Sequence, residues 1–399
     1  ATLDTYFILD RVVDISLSNL GFRHSAATYM GNWGVPSGGD WALHPGGVVT
    51  IKDSSNVSID SCAFHRLDGN AIFLEGRTRD ISIRRNTFEW LGENAVVLWG
   101  HSRGFDATSG NQPWRTILER NVMRELGIFQ KQSSAVVLVK ASRTTIRHNI
   151  MFNMPRAAIN FNDMAGGGDL VKENLIFNTC RESGDHGPIN SWDRQPFLTS
   201  VKTGEPSFVP EYRRISHNLI FANYGAGSAL DNDDGSSWYR VHNNVFYNSE
   251  GFKMDYGGHD SVFERNIVIS FPNKRGQKCI YFGSFFENHE HKVRHNVCIV
   301  PRSDEPIVLL ANCRGPVPSI HENAYMTPTG TATALCGYDK APITFLRLKK
   351  YGIERNSTVE KLPDEARTIL EMSKQTLLPT HDNPSSIREN EKTRLSQLE

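Results

Sequence analysis

Acidic residues cluster in the middle of the chain at spacings that suit proton-transfer chemistry. Asp231, Asp233 and Asp234 lie in one short segment, and Asp255 follows two residues after Lys253. Glycoside hydrolysis needs two carboxyl groups that flank the scissile bond. Two carboxyl groups held close together cannot both ionise freely, so one can serve as acid while the other serves as base or nucleophile. We therefore predict acid–base roles for these aspartates.

Polar and aromatic residues near these aspartates could hold a sugar chain. Asp185 and His186 come from a long loop and could transfer protons or only form hydrogen bonds. Lys253 could act as a base, with an ordinary salt bridge as the alternative. The aromatic faces of Trp192 and Tyr281 suit stacking against pyranose rings. The other expected substrate-binding residues are polar: Asn160, Asn162, Asn190, Asp193, Arg194 and His259.

A short repeat predicts the elements that must position these residues. One motif recurs along the chain: an apolar residue, two polar residues, an asparagine and then another apolar residue, as in SIRRNTF, TIRHNIM and RISHNLIF. The asparagines follow at intervals of 35, 28, 25, 44, 26, 22, 30 and 27 residues: Asn86, Asn121, Asn149, Asn174, Asn218, Asn244, Asn266, Asn296 and Asn323. This period is typical of a β-solenoid with one coil per repeat. Because asparagine tolerates a left-handed backbone and bonds its neighbours, we expect these residues to stack at turns.

A second strand follows each asparagine strand, at 71–76, 95–100, 135–140, 158–163, 188–193, 229–234, 251–256 and 279–284. Side chains alternate between the two faces of a strand. The apolar set Ile72, Leu74, Leu230, Phe252 and Met254 predicts the inward face. The outward face is then apolar in the first coils and polar in the middle ones. Trp99 is also outward, where it could stack on a pyranose ring or equally be covered by the loop at 101–114.

The predicted register gives two carboxylate spacings. Asp233 and Asp255 should lie one coil apart, about 5 Å, near the separation of retaining hydrolases. Asp231 and Asp233 should lie about 6.5–7 Å apart along one strand, near the separation of inverting hydrolases. Like charges on neighbouring strands weaken a sheet, so such a row indicates a functional site rather than a structural one.

This repeat resembles that of the right-handed parallel β-helix proteins of the pectin-lyase-like superfamily, over roughly residues 10–330. The resemblance implies an all-β, right-handed parallel β-helix and a polysaccharide-active enzyme. We place the β-helix at residues 1–340 and a C-terminal cap or tail, partly helical or disordered, at residues 341–399. A cap there would cover the open end of the solenoid.

Motifs of the polygalacturonases within that superfamily have partial counterparts here. Their N-x-D, D-D and G-H-G motifs resemble Asn190-Ser-Trp-Asp193, Asp233-Asp234 and Gly257-Gly258-His259, in the same order, and their R-x-K motif has no counterpart. The first match has one residue too many, and the third is displaced. The resemblance therefore implies acid–base roles for Asp233 or Asp234 in a glycoside hydrolase, without assigning it to the polygalacturonases.

Two alternatives stay open. A polysaccharide lyase or C5-epimerase acting on uronates would, by the same resemblance, use Lys253 as base. Ca²⁺ held by oxygen ligands would then neutralise the uronate. A glycan-binding or structural β-helix would need no specific carboxylates. For a hydrolase we expect neither a metal nor another cofactor.

Composition narrows the classes of partner. Lys+Arg and Asp+Glu both number 44, so no net charge attracts nucleic acid or an anionic membrane. No apolar stretch approaches the roughly 20 residues that cross a bilayer. We expect a monomer whose partner is a polysaccharide or oligosaccharide. Six cysteines and the sequons at Asn56 and Asn356 favour a secreted or extracellular protein, with buried thiols as the alternative reading of the cysteines.

Overall fold

The computed structural model describes residues 1–34, 43–103, 107, 109–162, 167–192, 211–221, 227–254, 258–271, 278–285, 289–301, 305–315, 317–337 and 340–373, with the backbone of 198–199, 206–207 and 374–377. Within these residues the chain winds through three long sheets in turn, one strand in each per coil. Neighbouring strands of a sheet come from successive coils and run parallel. An antiparallel hairpin, Leu198–Thr199 with Pro206–Ser207, stands apart from them. This is the parallel β-helix that the repeat predicts.

Sheet 1 contains the strands that carry the candidate site. Its described strands are Phe7–Asp10, Val49–Lys52, Ile72–Glu75, Val96–Trp99, Val136–Val139, Ile159–Asn162, Ile189–Trp192, Ser228–Asn232, Glu250–Met254, Ile280–Phe282, Val308–Leu310, Thr333–Cys336 and the antiparallel Ile343–Thr344.

Sheets 2 and 3 complete the walls of the solenoid. The described strands of sheet 2 are Val13–Ser18, Ser55–Asp60, Ser82–Arg84, Ile117–Glu119, Thr145–Arg147, Leu170–Lys172, Arg213–Ser216, Tyr239–His242, Val262–Glu264, Lys292–Arg294 and Ser319–His321. Those of sheet 3 are Gly21–Arg23, Ala63–Leu67, Thr87–Leu91, Val122–Arg124, Ile150–Phe152, Leu175–Phe177, Leu219–Phe221, Val245–Tyr247, Ile267–Ile269, Val297–Ile299, Ala324–Thr327 and Thr358–Lys361.

The interior is a continuous apolar core to which all three sheets contribute. On sheet 1 the predicted inward residues Ile72, Leu74, Leu230 and Phe252 are buried in it, which confirms the alternation. Stacked rings reinforce the vertical contacts: the ring centroids of Phe64 and Phe88 lie 4.8 Å apart in adjacent coils. Identical positions in successive coils therefore pack directly on one another.

The repeated asparagines form a buried ladder at the corner between sheets 2 and 3. From Asn86 to Asn323, the Oδ1 of each asparagine after the first accepts the backbone N–H and the side-chain amide of its predecessor, at 2.9–3.1 Å. Their structural role is confirmed.

The expectation that these asparagines themselves adopt the left-handed backbone is wrong. The residue before each one does so instead, such as His148 at φ 56° and Arg265 at φ 54°. The reason is that the amide must point inward to reach its neighbours, so the turn is made one residue earlier by an outward side chain.

The C-terminal region closes one end of the solenoid. Helix α1 (Phe345–Lys350) follows the last strand of sheet 1, and helix α2 (Asp364–Leu377) follows the last strand of sheet 3. Leu370 of α2 packs against Tyr247 and Phe271, on the outer side of sheet 3. Ser357 Oγ accepts the Asn323 N–H at 2.9 Å and so ends the asparagine ladder. The partly helical C-terminal region is confirmed, while the domain boundary at residue 340 stays a prediction.

Two disulfides join neighbouring coils near this end, Cys279–Cys298 and Cys313–Cys336, whereas Cys62 and Cys180 are buried free thiols. Among the described helices, neither is long and apolar enough to cross a membrane.

Candidate active site on the outer face of sheet 1

The outer face of sheet 1 is divided into an apolar and a polar part. In the first coils Phe73, Val97, Val137 and Val139 form a second apolar cluster, which Leu43 covers. Trp99 packs against this cluster, and Gly34 lies so close that a Cβ there would be 2.1 Å from the indole ring. The chain at Gly34 thus covers part of Trp99, while cover by the loop at 101–114 stays a prediction. The segment before the second sheet 1 strand contacts Trp99, because its long insertion can fold over the coils above it.

The polar part begins where this cover ends. Residues from five successive strands are in register along it: Asn160, Asn190, Asp231, Lys253 and Tyr281. We call these five residues the polar row. The predicted outward parity of all five is thus present in the strand pairing. Parallel pairing stacks equivalent positions directly, so a row on one strand face becomes a continuous stripe.

A second row lies two residues further along the strands. Asn162 pairs in register with Trp192. Asp233 follows one residue after the pair Ser191 and Asn232, and its N–H donates to the Ser191 carbonyl at 2.9 Å. Asp233 and Asp234 are both half-buried, and the Asp234 N–H donates to Asp233 Oδ1 at 2.9 Å. Their carboxyl groups thus lie at the end of a strand beside a half-buried tryptophan.

Asp231 and Lys253 form an ion pair at the centre of the polar row. Lys253 Nζ lies 2.5 Å from Asp231 Oδ1, and the two side chains are 14% and 3% exposed. The amide of Asn190, oriented to satisfy its neighbours, donates to Asp231 Oδ2 at 3.2 Å. The salt bridge expected as the alternative for Lys253 is therefore present. Because a carboxylate at this distance stabilises the ammonium form, the contact opposes a role for Lys253 as a base.

A loop covers Asp231 from the side of sheet 3. A Cβ at Gly187 would lie 3.0 Å from the Asp231 Cβ, so only glycine fits against that side chain without displacement. Asp231 is consequently only 2% exposed. The loop approaches this closely because it enters the strand only two residues after Gly187.

His186 lies in the same loop, and its neighbours contact both nitrogens of its imidazole ring. Its Nε2 faces Arg156 Nη2 at 2.6 Å, and its Nδ1 faces Ser183 Oγ at 2.5 Å. Since a guanidinium can only donate, Nε2 must accept and the proton belongs on Nδ1. Asp185 beside it is exposed. Because both ring nitrogens are engaged, this arrangement favours a positioning role for His186.

Arg156 and Cys180 belong to this environment, although neither was predicted from the sequence. Arg156 is 4% exposed, and the Cys180 thiol donates to the His186 carbonyl at 3.1 Å. Burial raises the pKa of the Cys180 thiol, and the nearby Asp231 carboxylate raises it further. Both residues lie in loops between sheets 3 and 1, where no repeat indicates which side chains converge.

The remaining predicted residues lie at the edges of the row or outside the described residues. Tyr281 is half-buried, and Lys278 Nζ lies 5.9 Å from the centroid of its ring. His259 lies beyond the end of the Lys253 strand, in the turn to sheet 2. Its Nδ1 is 2.8 Å from Asp260 Oδ2. Asp255, Asp193 and Arg194 lie outside the described residues.

Comparisons with known proteins place few constraints on this site. No protein-family model and no curated protein matches the chain. A search of solved structures found a protein titled "Glycoside hydrolase", 16% identical, with a TM-score of 0.49 over 66% of this chain. The chain spans about half the length of that protein, with 50% of it covered. The assignment of the β-helix rests on the strand pairing itself.

Proposed function

We propose that this protein is a carbohydrate-active enzyme that hydrolyses glycosidic bonds in an extended polysaccharide lying along the outer face of sheet 1. The observation that carries this proposal is the polar row, which crosses five strands in register beside Trp192. Amide, carboxylate and ammonium groups suit sugar hydroxyls, and an aromatic ring suits a pyranose face. Solvent reaches Lys253 and Tyr281 of the row and the neighbouring Trp192, so a polymer along the solenoid axis would meet these side chains. Asn160, Asn190 and Asp231 are buried behind them and would hold them in place.

Within this proposal, Asp233 is the carboxyl group that exchanges a proton with the sugar. It lies at the end of its strand and is half-buried, whereas Asp231 is enclosed and paired with Lys253. Asp231 is then a positioning residue that keeps Lys253 charged and in place. The expected partner carboxylate is Asp255, which the repeat places one coil, about 5 Å, from Asp233.

The test is turnover of the purified chain on neutral and uronate polysaccharides. New reducing ends without unsaturated uronate products would support hydrolysis, and unsaturated products would support a lyase instead. Asp233→Asn and Asp255→Asn should each lower turnover by at least about 10², the low end for loss of general acid–base catalysis. Asp4→Asn, at an exposed N-terminal position, is the matched control. Wild-type turnover in both variants would place the chemistry elsewhere.

We also propose an extracellular location. The two disulfides support it, because such bonds persist in oxidising compartments and are rare in the cytosol.

A further inference from the structure

Two histidines and an aspartate from adjacent coils converge at the edge where sheet 1 turns into sheet 2. His259 and Asp260 precede the strand Val262–Glu264. His289 precedes the equivalent strand of the next coil, Lys292–Arg294. His259 Nδ1 lies 2.8 Å and His289 Nδ1 2.7 Å from the same oxygen, Asp260 Oδ2. One ligand atom from each residue lies within 4.8 Å of the others. We propose that these three residues bind a divalent metal ion of the zinc class.

The carboxylate at the centre of this cluster is fixed by the fold. Asp260 occupies a left-handed turn position at φ 52°, two residues before a sheet 2 strand begins, as Asp80 and Arg115 do in earlier coils. Its second oxygen, Oδ1, accepts the Glu290 N–H at 3.1 Å. This leaves Oδ2 directed at both imidazoles. Such outer hydrogen bonds orient metal ligands and hold the carboxylate in one position.

The imidazole rings are held as well. The ring centroids of His259 and His289 lie 4.2 Å apart, and the ring of His259 contacts Trp238 at 6.0 Å between centroids. The His259 backbone N–H donates to Ser237 Oγ at 3.1 Å. Two neighbouring coils thus present their histidines to one point, an arrangement that no sheet or ladder contact of this fold requires.

The donor set selects the type of ion. Two imidazoles and one carboxylate suit Zn²⁺ and related transition metals, whereas Ca²⁺ prefers an all-oxygen shell of six to eight ligands. Two bonds of about 2.0–2.1 Å at a tetrahedral angle span about 3.3 Å. The N···O separations of 2.7 and 2.8 Å therefore need to widen by only about half an ångström.

The nearby His291 does not complete the set. Its Nε2 lies 3.1 Å from the Gly258 carbonyl and its Nδ1 accepts the Ser261 N–H at 3.3 Å, so both nitrogens are engaged. Among the described residues the set has three protein ligands, at a partly exposed edge. A fourth position filled by water or another oxygen ligand would match catalytic rather than structural zinc sites. The inference does not depend on the proposed hydrolysis, because neither Asp233 nor Asp255 is among the three ligands.

The experiment uses the full chain, treated with a chelator and then titrated with Zn²⁺ alone by calorimetry. The expected result is saturable binding with one strong site per chain, not displaced by Ca²⁺. His289→Gln and Asp260→Asn should each weaken binding at least 10-fold, since even outer-shell changes cost about 10–100-fold. His148→Gln is the matched control: it removes an exposed histidine that pairs with the single carboxylate of Glu173 at 3.1 Å.

Co²⁺ binding to the unmodified chain gives a second readout that no substitution can disturb. A visible absorption band typical of a four-coordinate ion with nitrogen and oxygen ligands is expected, together with its loss on adding Zn²⁺. Absence of saturable Zn²⁺ binding, or binding equal in the His289→Gln, Asp260→Asn and control variants, would overturn the proposal. Failure of the polysaccharide assays would not affect either measurement.

Discussion

At the scale of single residues, the ion pair of Asp231 and Lys253 determines what either group can do. Solvent barely reaches the carboxylate, and the ammonium lies 2.5 Å from it. Such a pair acts through geometry and charge placement rather than through proton exchange, since removing either charge strongly disfavours the other. This is why the half-buried Asp233, and not Asp231, is the better candidate for catalysis.

The strength of this pair can be measured by a double-mutant cycle with Asp231→Asn and Lys253→Met. We expect a favourable coupling of about 1–3 kcal/mol in urea unfolding, because the contact is largely shielded from water. The control cycle is Lys131 with Glu182, 2.8 Å apart but 49% and 53% exposed. Exposed pairs of this kind contribute less than about 1 kcal/mol. Equal coupling in the two cycles would contradict the enclosed environment assigned to Asp231.

Glu93 provides a pH test at the same scale. Burial raises its pKa to about 7 from 4.5, although the Thr28 hydroxyl, donating at 2.9 Å, and a backbone N–H of His44 act in the opposite direction. Because the folded-state pKa lies above the unfolded value, the contribution of Glu93 to stability is fully present below pH 4.5. It is lost as pH rises through about 7.

Glu93→Gln should remove that dependence. As pH rises from 4.5 to 8, the wild type should lose roughly 3 kcal/mol of its free energy of unfolding through Glu93, and the variant should not. Urea titrations at several pH values measure this difference, with the exposed Glu360→Gln as control. A constant difference across the range would show that Glu93 titrates normally.

At the scale of elements, the asparagine ladder ties each coil to the next. Asn149 Oδ1 accepts both the N–H and the amide of Asn121 at 3.0 Å, and its own amide donates to Leu118 O and Asn174 Oδ1, also at 3.0 Å. Every one of these groups is buried. Loss of the side chain leaves several polar atoms without partners, in a place water does not reach.

Asn149→Ala should therefore destabilise the protein by at least about 3 kcal/mol, at about 1–3 kcal/mol per buried group left unpaired. Thermal or urea unfolding monitored by circular dichroism gives the value. Asn32→Ala, at an exposed loop position, should change stability by less than about 0.5 kcal/mol. A ladder variant as stable as this control would mean that neighbouring coils, not the amides, hold the register.

At the scale of the whole molecule, the solenoid combines many contacts between neighbouring coils with a few covalent links. Cys279–Cys298 and Cys313–Cys336 close loops of 19 and 23 residues, and Cys62 and Cys180 stay reduced inside the protein. A disulfide that closes a loop of this length stabilises the folded protein by about 3 kcal/mol, because it restricts the unfolded chain.

Thiol titration tests this pairing on the intact chain. Unfolded without reductant, the protein should expose two reactive thiols, and six after reduction. Peptide mapping of the unreduced sample should link Cys279 to Cys298 and Cys313 to Cys336. Six reactive thiols before reduction would contradict both the pairing and the proposed extracellular location.

The repeat and the alternation of side chains determined the architecture from the sequence alone. The asparagine period marks each coil, and strand parity correctly places Asn160, Asn190, Asp231, Lys253 and Tyr281 on one outer row. These features are local or strictly periodic. Coils that stack in register convert a pattern along the chain into a pattern in space.

Only the tertiary structure decided which side chains from different loops meet. The cover of Gly187 over Asp231, the contact of Arg156 with His186, and the convergence of His259, Asp260 and His289 all join segments of unequal length. Loop lengths carry no period, so the sequence does not indicate how far each loop folds back over the sheet. Burial and charge pairing at the candidate site therefore follow from loop packing, whereas the row of residues itself follows from the repeat.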